Sequence, residues 1–472
     1  METSAADRGA LPVAVIGAGP IGLAAAAHLV ARGETPVVLE AGDSVGAAIR
    51  GWSHVRLFSP WKYLVDPVAR GMLEAAGWTA PDGDRLPTGG ELVEGLLEPL
   101  AALPAIAPHL RTGRRVVAVT RRGFDKVKSA GRERAPFELV VRTAEGRTER
   151  ILARAVIDAS GTYGSPNPIG AGGLPVEGET ELAGRIHYGI PDVLGSDRAR
   201  HAGRRTLVVG SGHSAFNALL DLAALAREAP GTEVVWAIRR REPGQMFGGG
   251  ERDALPARGS LGARLRSLVD RGEVTLVTGF RTVRLVETER GIVVEGEDDA
   301  VIGPVDRLVV ATGFRPDVGM LRELRTGLDP WLEAPVALAP LIDPNVHSCG
   351  TVYPHGFAEL SHPEPDFYVV GMKSYGRAPT FLLLTGYEQV RSVAAALAGD
   401  LESARAVELV LPETGVCSTS LAGSGCCSVE DDAGVTREPV AASCGIASGC
   451  ASPASRGALP VLAGASSGGC CG

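Results

Sequence analysis

The sequence predicts an α/β protein built on two dinucleotide-binding (Rossmann-like) units and ending in a flexible, Cys-rich tail. Three observations carry that prediction. Two segments read as strand, glycine turn and helix. Each is followed by a second apolar run with charged residues at its end. After about residue 412 the hydrophobic periodicity stops and cysteines accumulate.

The first unit is PVAVIGAGPIGLAAAAHLVARG. Gly17, Gly19 and Gly22 form G-x-G-x-x-G, with Pro20 opening the helix. The first glycine suits a tight turn, the second lets backbone approach a pyrophosphate, and the third allows close helix–strand packing. The helix N-terminus offers N–H donors and a positive dipole end to phosphate. With 62 glycines in 472 residues, about one such match is expected by chance, so context decides its meaning. Here a strand precedes, a helix follows, and the next strand, TPVVLE, ends in Glu40. A carboxylate at that distance binds a ribose hydroxyl in this fold, which suits FAD or NAD.

The second unit, RTLVVGSGHSAFNALLDLAALARE, places Gly210, Ser211, Gly212 and Ser214 in the turn, with Ala215 in the third glycine's place. Its following strand, TEVVWAIRRR, ends in Arg239, Arg240 and Arg241. A carboxylate there would repel a 2′-phosphate, whereas arginines pair with it. The second site therefore reads as one for NADPH, the alternative being a solvated turn.

Other stretches fill in the body. Trp52 and Trp61 in GWSHVRLFSPWKYL are either flavin contacts or core. LPTGGELVEGLLEPLAAL reads as a helix capped by Thr88. Residues 116–156 read as a β-meander with a polar loop at 126–136. Residues 244–260 form a Gly-rich segment read as a mobile lid or substrate loop.

Two strand ends, AVIDASGTYGSPNP (Ala155–Pro168) and RLVVATGFRPD (Arg307–Asp317), carry A-S-G and A-T-G. They resemble the segments at which flavoproteins with two dinucleotide-binding domains cross between an FAD domain and an inserted NADPH domain. Gly161 and Gly313 would turn the chain close to FAD or the hinge. DFYVVGMKSYGRAPTFLLLTGYEQVRSV resembles the closing strand and helix of that fold, where the helix start lies against the flavin. The resemblance spans roughly residues 11–402 and is closest to flavin-containing monooxygenase-like proteins. ELAGRIHYGIPDV departs from the Baeyer–Villiger pattern, so ketone oxidation is not implied. The late segment, LPETGVCS and the Cys-rich end resemble the flavoprotein monooxygenase-like proteins of bacterial arsenic-resistance clusters.

The resemblance implies these boundaries: an FAD domain at 11–167 and 306–411, an NADPH domain at 168–305, and a tail at 412–472. It implies FAD and NADPH as cofactors. The implied activity is that of a flavin monooxygenase, which forms a C4a-hydroperoxide and oxygenates a soft nucleophile such as arsenite or an organoarsenical. Lys373, Ser374 and Arg377 are the catalytic candidates, with His187 and His355 as further polar groups near the ring. The rival is an NADPH-dependent reductase that passes electrons to tail thiols, a bound metalloid or a partner protein. A disulfide reductase of the usual kind needs a redox cysteine pair in its body. Residues 1–348 contain no cysteine, and Cys349 stands alone in HSCGTVYPHG.

Seven of the eight cysteines fall in the tail. Vicinal pairs such as Cys426–Cys427 make strained mutual disulfides but bind soft centres well. Cys417, Cys426 and Cys427 would supply the three thiolates that trivalent arsenic prefers, if the tail captures or delivers such a metalloid. A flexible chain of that length has a span of about 40 Å, enough to reach the protein's own active-site mouth or another subunit. LPETG (Leu411–Gly415) matches a cell-wall sorting signal but lacks the apolar span that such a signal requires. The net charge of −8 gives no reason to bind nucleic acid or an anionic membrane. No apolar run reaches the roughly 18–20 residues of a membrane span. The expectation is a cytoplasmic enzyme of a small-molecule substrate, with a homodimer possible.

Overall fold

The computed structural model describes residues 10–242, 247, 256–347, 355–378 and 381–409. The tail cysteines and Cys349 lie outside the described residues, as does most of the expected lid segment. That segment's last residues, from Pro256, open a helix.

In chain order the first half contains β1 (Val13–Ile16), helix α1 (Pro20–Ala31), β2 (Pro36–Leu39) and β3 (Leu110–Arg111). A meander of β4 (Arg114–Arg121), β5 (Phe137–Thr143) and β6 (Thr148–Ala153) follows, then β7 (Ala155–Asp158). The second half contains β8 (Ile186–Tyr188), β9 (Arg205–Val209), helix α2 (His213–Glu228) and β10 (Glu233–Ala237). After these come helix α3 (Pro256–Asp270), β11 (Thr275–Val277), and a meander of β12 (Thr282–Thr288), β13 (Gly291–Gly296) and β14 (Val301–Val305). The chain returns through β15 (Arg307–Val310) to β16 (Phe367–Val369) and helix α4 (Leu383–Leu397).

These strands make two parallel five-stranded sheets, β16-β7-β1-β2-β3 and β8-β15-β9-β10-β11. Each is accompanied by a three-stranded antiparallel meander. The two halves repeat one plan: β1 corresponds to β9, β2 to β10, β7 to β15 and β16 to β8. The second domain is threaded between β7 and β16 of the first. The central strands are mostly apolar and buried at every position except Arg205, which opens β9, as parallel strands covered on both faces must be.

One boundary differs from expectation. Residues 306–310 were expected to reopen the FAD domain, but β15 pairs with β9 and β8 in the second sheet. The chain leaves the second domain only at the Ala311–Gly313 turn. The run RLVV has the composition of a central strand in either sheet, so only its partners place it.

Local chemistry explains the remaining elements. Thr88 caps the helical stretch that follows with a full capping box, its Oγ1 accepting from Glu91 N while Glu91 accepts from Thr88 N. Gly386 of α4 crosses α1 so closely that a Cβ there would fall 2.5 Å from Ile21 Cδ1. A buried clamp ties the first meander to the segment before β16. Glu364 accepts from Arg121 Nε at 2.9 Å, from Arg132 Nη2 at 2.8 Å and from Arg325 N. Burial alone would raise the Glu364 carboxyl, but the Arg132 and Arg121 hydrogen bonds outweigh it and hold the group below its usual range.

Candidate cofactor sites

The first glycine turn fits a dinucleotide for three separate reasons. Gly17 has φ +100°, and a Cβ on it would lie 2.8 Å from Ala159 O. A Cβ on Gly22 would lie 1.9 Å from Gly17 O. A Cβ on Gly19 would meet nothing within 4 Å, so here the backbone borders open space where a pyrophosphate can approach. Pro20 opens α1, and no side chain caps that helix, which leaves its first amides for a ligand. Glu40 folds back onto the turn, its Oε2 accepting from Ala18 N at 2.7 Å and its Oε1 from Gly42 N at 2.8 Å. Both oxygens keep a lone pair for ribose hydroxyls.

The second turn copies the first. Gly210 has φ +135°, with Ala311 O 2.3 Å from where a Cβ would be. Gly212 borders open space, Ser211 is exposed and Ser214 half-buried, and α2 is also uncapped. Trp236 Nε1 donates to Gly210 O at 2.7 Å and holds the turn.

The hydrogen-bond register refines the reading of the ribose ends. Gly17 N donates to Leu39 O, and Gly210 N donates to Ala237 O. Leu39 and Ala237 are therefore equivalent, and the residue in Glu40's place is the buried Ile238, not an arginine. Arg239 follows one residue later, exposed, with Nη1 donating to Ala171 O at 3.1 Å. Arg240 is half-buried and Arg241 exposed. The second site thus has no carboxylate at the ribose position and guanidinium groups beside it, an arrangement that fits a 2′-phosphate.

The A-S-G and A-T-G turns occupy equivalent places too: Ala159 N donates to Ile16 O, and Ala311 N to Val209 O. Between the domains the two crossing segments are cross-linked. Asn167 N donates to Gly313 O, Asn167 Nδ2 to Thr312 O and Thr312 Oγ1 to Asn167 O, while Tyr163 stacks on Phe314 at 5.0 Å. Gly313 has φ +89° in this joint, and Gly161 has φ +70° beside open space.

Two of the three catalytic candidates, Lys373 and Ser374, are buried. Lys373 is 2% exposed, with Nζ donating to Asp158 Oδ2 at 2.7 Å and to Ser160 Oγ at 3.0 Å. Ser374 is fully buried; it donates to Gly371 O and accepts from Gln389 Nε2, which also donates to His355 Nε2. Arg377 pairs with Glu333 at the surface. His187 lies on β8 in the second sheet, where burial lowers its pKa. Trp61 is in the core of the first domain against Gly95, and its Nε1 has no partner among the described residues. Asp158 and Ser160 were not singled out from sequence. The available signal was an acid closing the otherwise apolar run AVID. Among the described residues no group of three or more His, Cys, Asp or Glu is arranged to hold a metal, and no helix is long and apolar enough to cross a membrane.

Two family models match the chain. Residues 116–337 match the family model of pyridine nucleotide-disulphide oxidoreductases, and residues 15–75 match the NAD(P)-binding Rossmann-like domain. The protein is an FAD- and NAD(P)-linked oxidoreductase. No curated protein matches the chain. Among solved structures it is similar to a bacillithiol disulfide reductase from Bacillus cereus (TM-score 0.60, 19% identity, 82% of this chain and 99% of that one). It is similar also to a flavin-containing monooxygenase from Stenotrophomonas maltophilia (TM-score 0.53, 23% identity, 82% and 98%). A third is the FAD-bound cadaverine monooxygenase of desferrioxamine biosynthesis from Erwinia amylovora (TM-score 0.56, 15% identity, 85% and 98%). At these identities the likeness is one of fold, which reductases and monooxygenases share.

Proposed function

We propose that the enzyme is an NADPH-dependent flavin monooxygenase acting on a soft nucleophile, with trivalent arsenicals as the substrate class. The observation that carries this reading is the absence of cysteine among the described residues. A reductase of the disulfide type must pass electrons through a thiol pair beside its flavin, and the described body offers none. FAD, when bound in the first cradle, would supply the redox chemistry that links NADPH to dioxygen. One oxygen atom goes to the substrate's lone pair and the other leaves as water, with NADPH and a proton consumed.

The chain's own residues bind and orient. Gly17, Gly19, Gly22 and the start of α1 hold the FAD pyrophosphate, and Glu40 holds its ribose. Gly210, Ser211, Gly212 and Ser214 hold the second pyrophosphate, and Arg239 and Arg240 hold the 2′-phosphate. No acid–base triad is needed, which agrees with Lys373 and Ser374 being buried.

In this reading the tail cysteines Cys417, Cys426 and Cys427 collect the thiophilic substrate. Replacing all three with serine should weaken arsenite binding by about tenfold or more, as expected for loss of soft ligands. Unchanged binding removes the tail from the account. Oxygen transfer itself is tested by turnover of arsenite under limiting NADPH. The reading expects one arsenate per NADPH and little free peroxide. NADPH oxidation with no arsenate formed counts against arsenite as substrate.

The second reading, an NADPH-dependent reductase that passes electrons to tail thiols, a metalloid or a partner protein, is favoured by the family match over residues 116–337.

A further inference from the structure

The internal repeat supplies a control for what is special about the FAD site. By the register above, Asp158 at the end of β7 corresponds to Val310 at the end of β15, and Ser160 corresponds to Thr312. Val310 is buried and apolar, as a strand end between covered faces should be. Asp158 is 0% exposed and yet a carboxylate. Burying a charge is costly unless it is paired, and even a well-paired buried ion pair rarely adds net stability. The first domain therefore carries a costly polar device at a place where the second uses a methyl-bearing side chain.

That device converges on one turn. Asp158 Oδ1 accepts from Ser160 N at 3.1 Å and from Ser160 Oγ at 2.6 Å. Asp158 Oδ2 and Ser160 Oγ both accept from Lys373 Nζ, which reaches them from the segment just after β16. The segment that follows the edge strand β16 is thus tied to the Ala159–Gly161 turn. The turn in its own right abuts the phosphate loop: a Cβ on Gly17 would lie 2.8 Å from Ala159 O and 3.1 Å from Ser160 Cα. On its far side, Gly161 borders open space. Ser160 is exposed although its two partners are buried. The network therefore lies immediately beneath the wall that the FAD site shares with Gly17 and Gly19.

We infer that the Asp158–Lys373 ion pair, acting through Ser160, is the positioning element of the FAD site. It pins the A-S-G turn against the phosphate loop so that the cradle is formed before the cofactor arrives. Lys373 and Asp158 are positioning residues and touch no substrate. Preorganisation raises affinity by removing the cost of ordering the site on binding. The inference rests on FAD occupying the first cradle.

The test removes the two charges together. Asp158→Val copies Val310 of the second domain, and Lys373→Met removes the partner charge, so the double variant leaves no buried charge of the pair behind, a kind of exchange that is often neutral for folding. Ser160→Ala is the second variant, at an exposed position that tolerates change. The apoproteins are titrated with FAD, and the midpoint potential of the bound flavin and the apoprotein melting temperature are recorded. The double variant should lose FAD affinity by about tenfold or more, and Ser160→Ala by about three- to tenfold, the worth of one or two hydrogen bonds. The flavin potential should shift in the double variant while its apoprotein melting temperature stays near that of the wild type. FAD affinity within about twofold and an unchanged potential in both variants overturn the inference. A fall in melting temperature alone also overturns it, since the pair is then merely structural. A wild-type apoprotein that takes up no FAD contradicts the cofactor assignment itself, a different failure from the variants behaving alike.

Discussion

At Glu40 and Ile238 the same position in two copies of one fold holds a carboxylate and an alkyl group. The carboxylate is set by two backbone amides to receive ribose hydroxyls. The alkyl group leaves the second site open to Arg239 and Arg240. Replacing both arginines with alanine should raise the KM for NADPH by about 10- to 100-fold and leave that for NADH nearly unchanged, as expected for loss of charge-assisted phosphate contacts. Steady-state kinetics with both nucleotides check this; equal losses for both contradict a 2′-phosphate role. Sequence showed the glycines and Glu40 clearly, because each has a spacing that a strand–turn–helix unit requires. It placed the arginines one residue too early, since only the hydrogen-bond register identifies Ile238 as the counterpart of Glu40. Asp158 escaped notice because a single acid at a strand end reads as a turn residue until its burial and its partner Lys373, far along the chain, are known. Two buried histidines make a pH prediction. Burial lowers His201 and His362 to about 4 from the ordinary 6.5. The neutral rings contribute stability that is complete above about pH 6.5 and lost as pH falls towards 4, by a few kcal/mol in all. Melting temperature followed from pH 7.5 to 4.5 should fall across that window, and less steeply in a His201→Asn/His362→Asn variant.

Elements decide how these residues meet. Helix N-termini, meanders and the capped helix after Thr88 were legible because each has a local signature. The membership of β15 was not, because an apolar run of its length is the same object in either sheet. What holds the first meander against the return segment is the Glu364 clamp, in which one buried carboxylate serves two buried arginines. Glu364→Gln keeps the shape but strands both guanidinium charges, and should cost about 3–5 kcal/mol, the cost of breaking a buried pair. Denaturant unfolding of the variant checks this. A loss below about 1 kcal/mol would mean the arginines find other partners or water.

Taken whole, the molecule is one nucleotide-binding plan used twice, with the second copy inserted between the last two strands of the first. The insertion joins the copies through the A-S-G and A-T-G segments, which hydrogen-bond to each other beside Tyr163 and Phe314. Repetition makes differences between the copies informative: Glu40 against Ile238 separates the two strand ends, and Asp158 against Val310 sets the first cradle apart from the second. The described body has no cysteine, and the chain's thiols are concentrated in the tail. This separation is what sets the electron acceptor in the proposed function. The most direct test is to reduce the holoenzyme anaerobically with NADPH. One portion is then mixed with oxygenated buffer, and another, still anaerobic, with glutathione disulfide, while the flavin spectrum is followed. The account predicts rapid reoxidation by oxygen through a spectrum that differs from both the oxidised and the reduced flavin, quickened by arsenite, with no reoxidation by the disulfide. Rapid reoxidation by the disulfide, with oxygen slow and without any such spectrum, would contradict it.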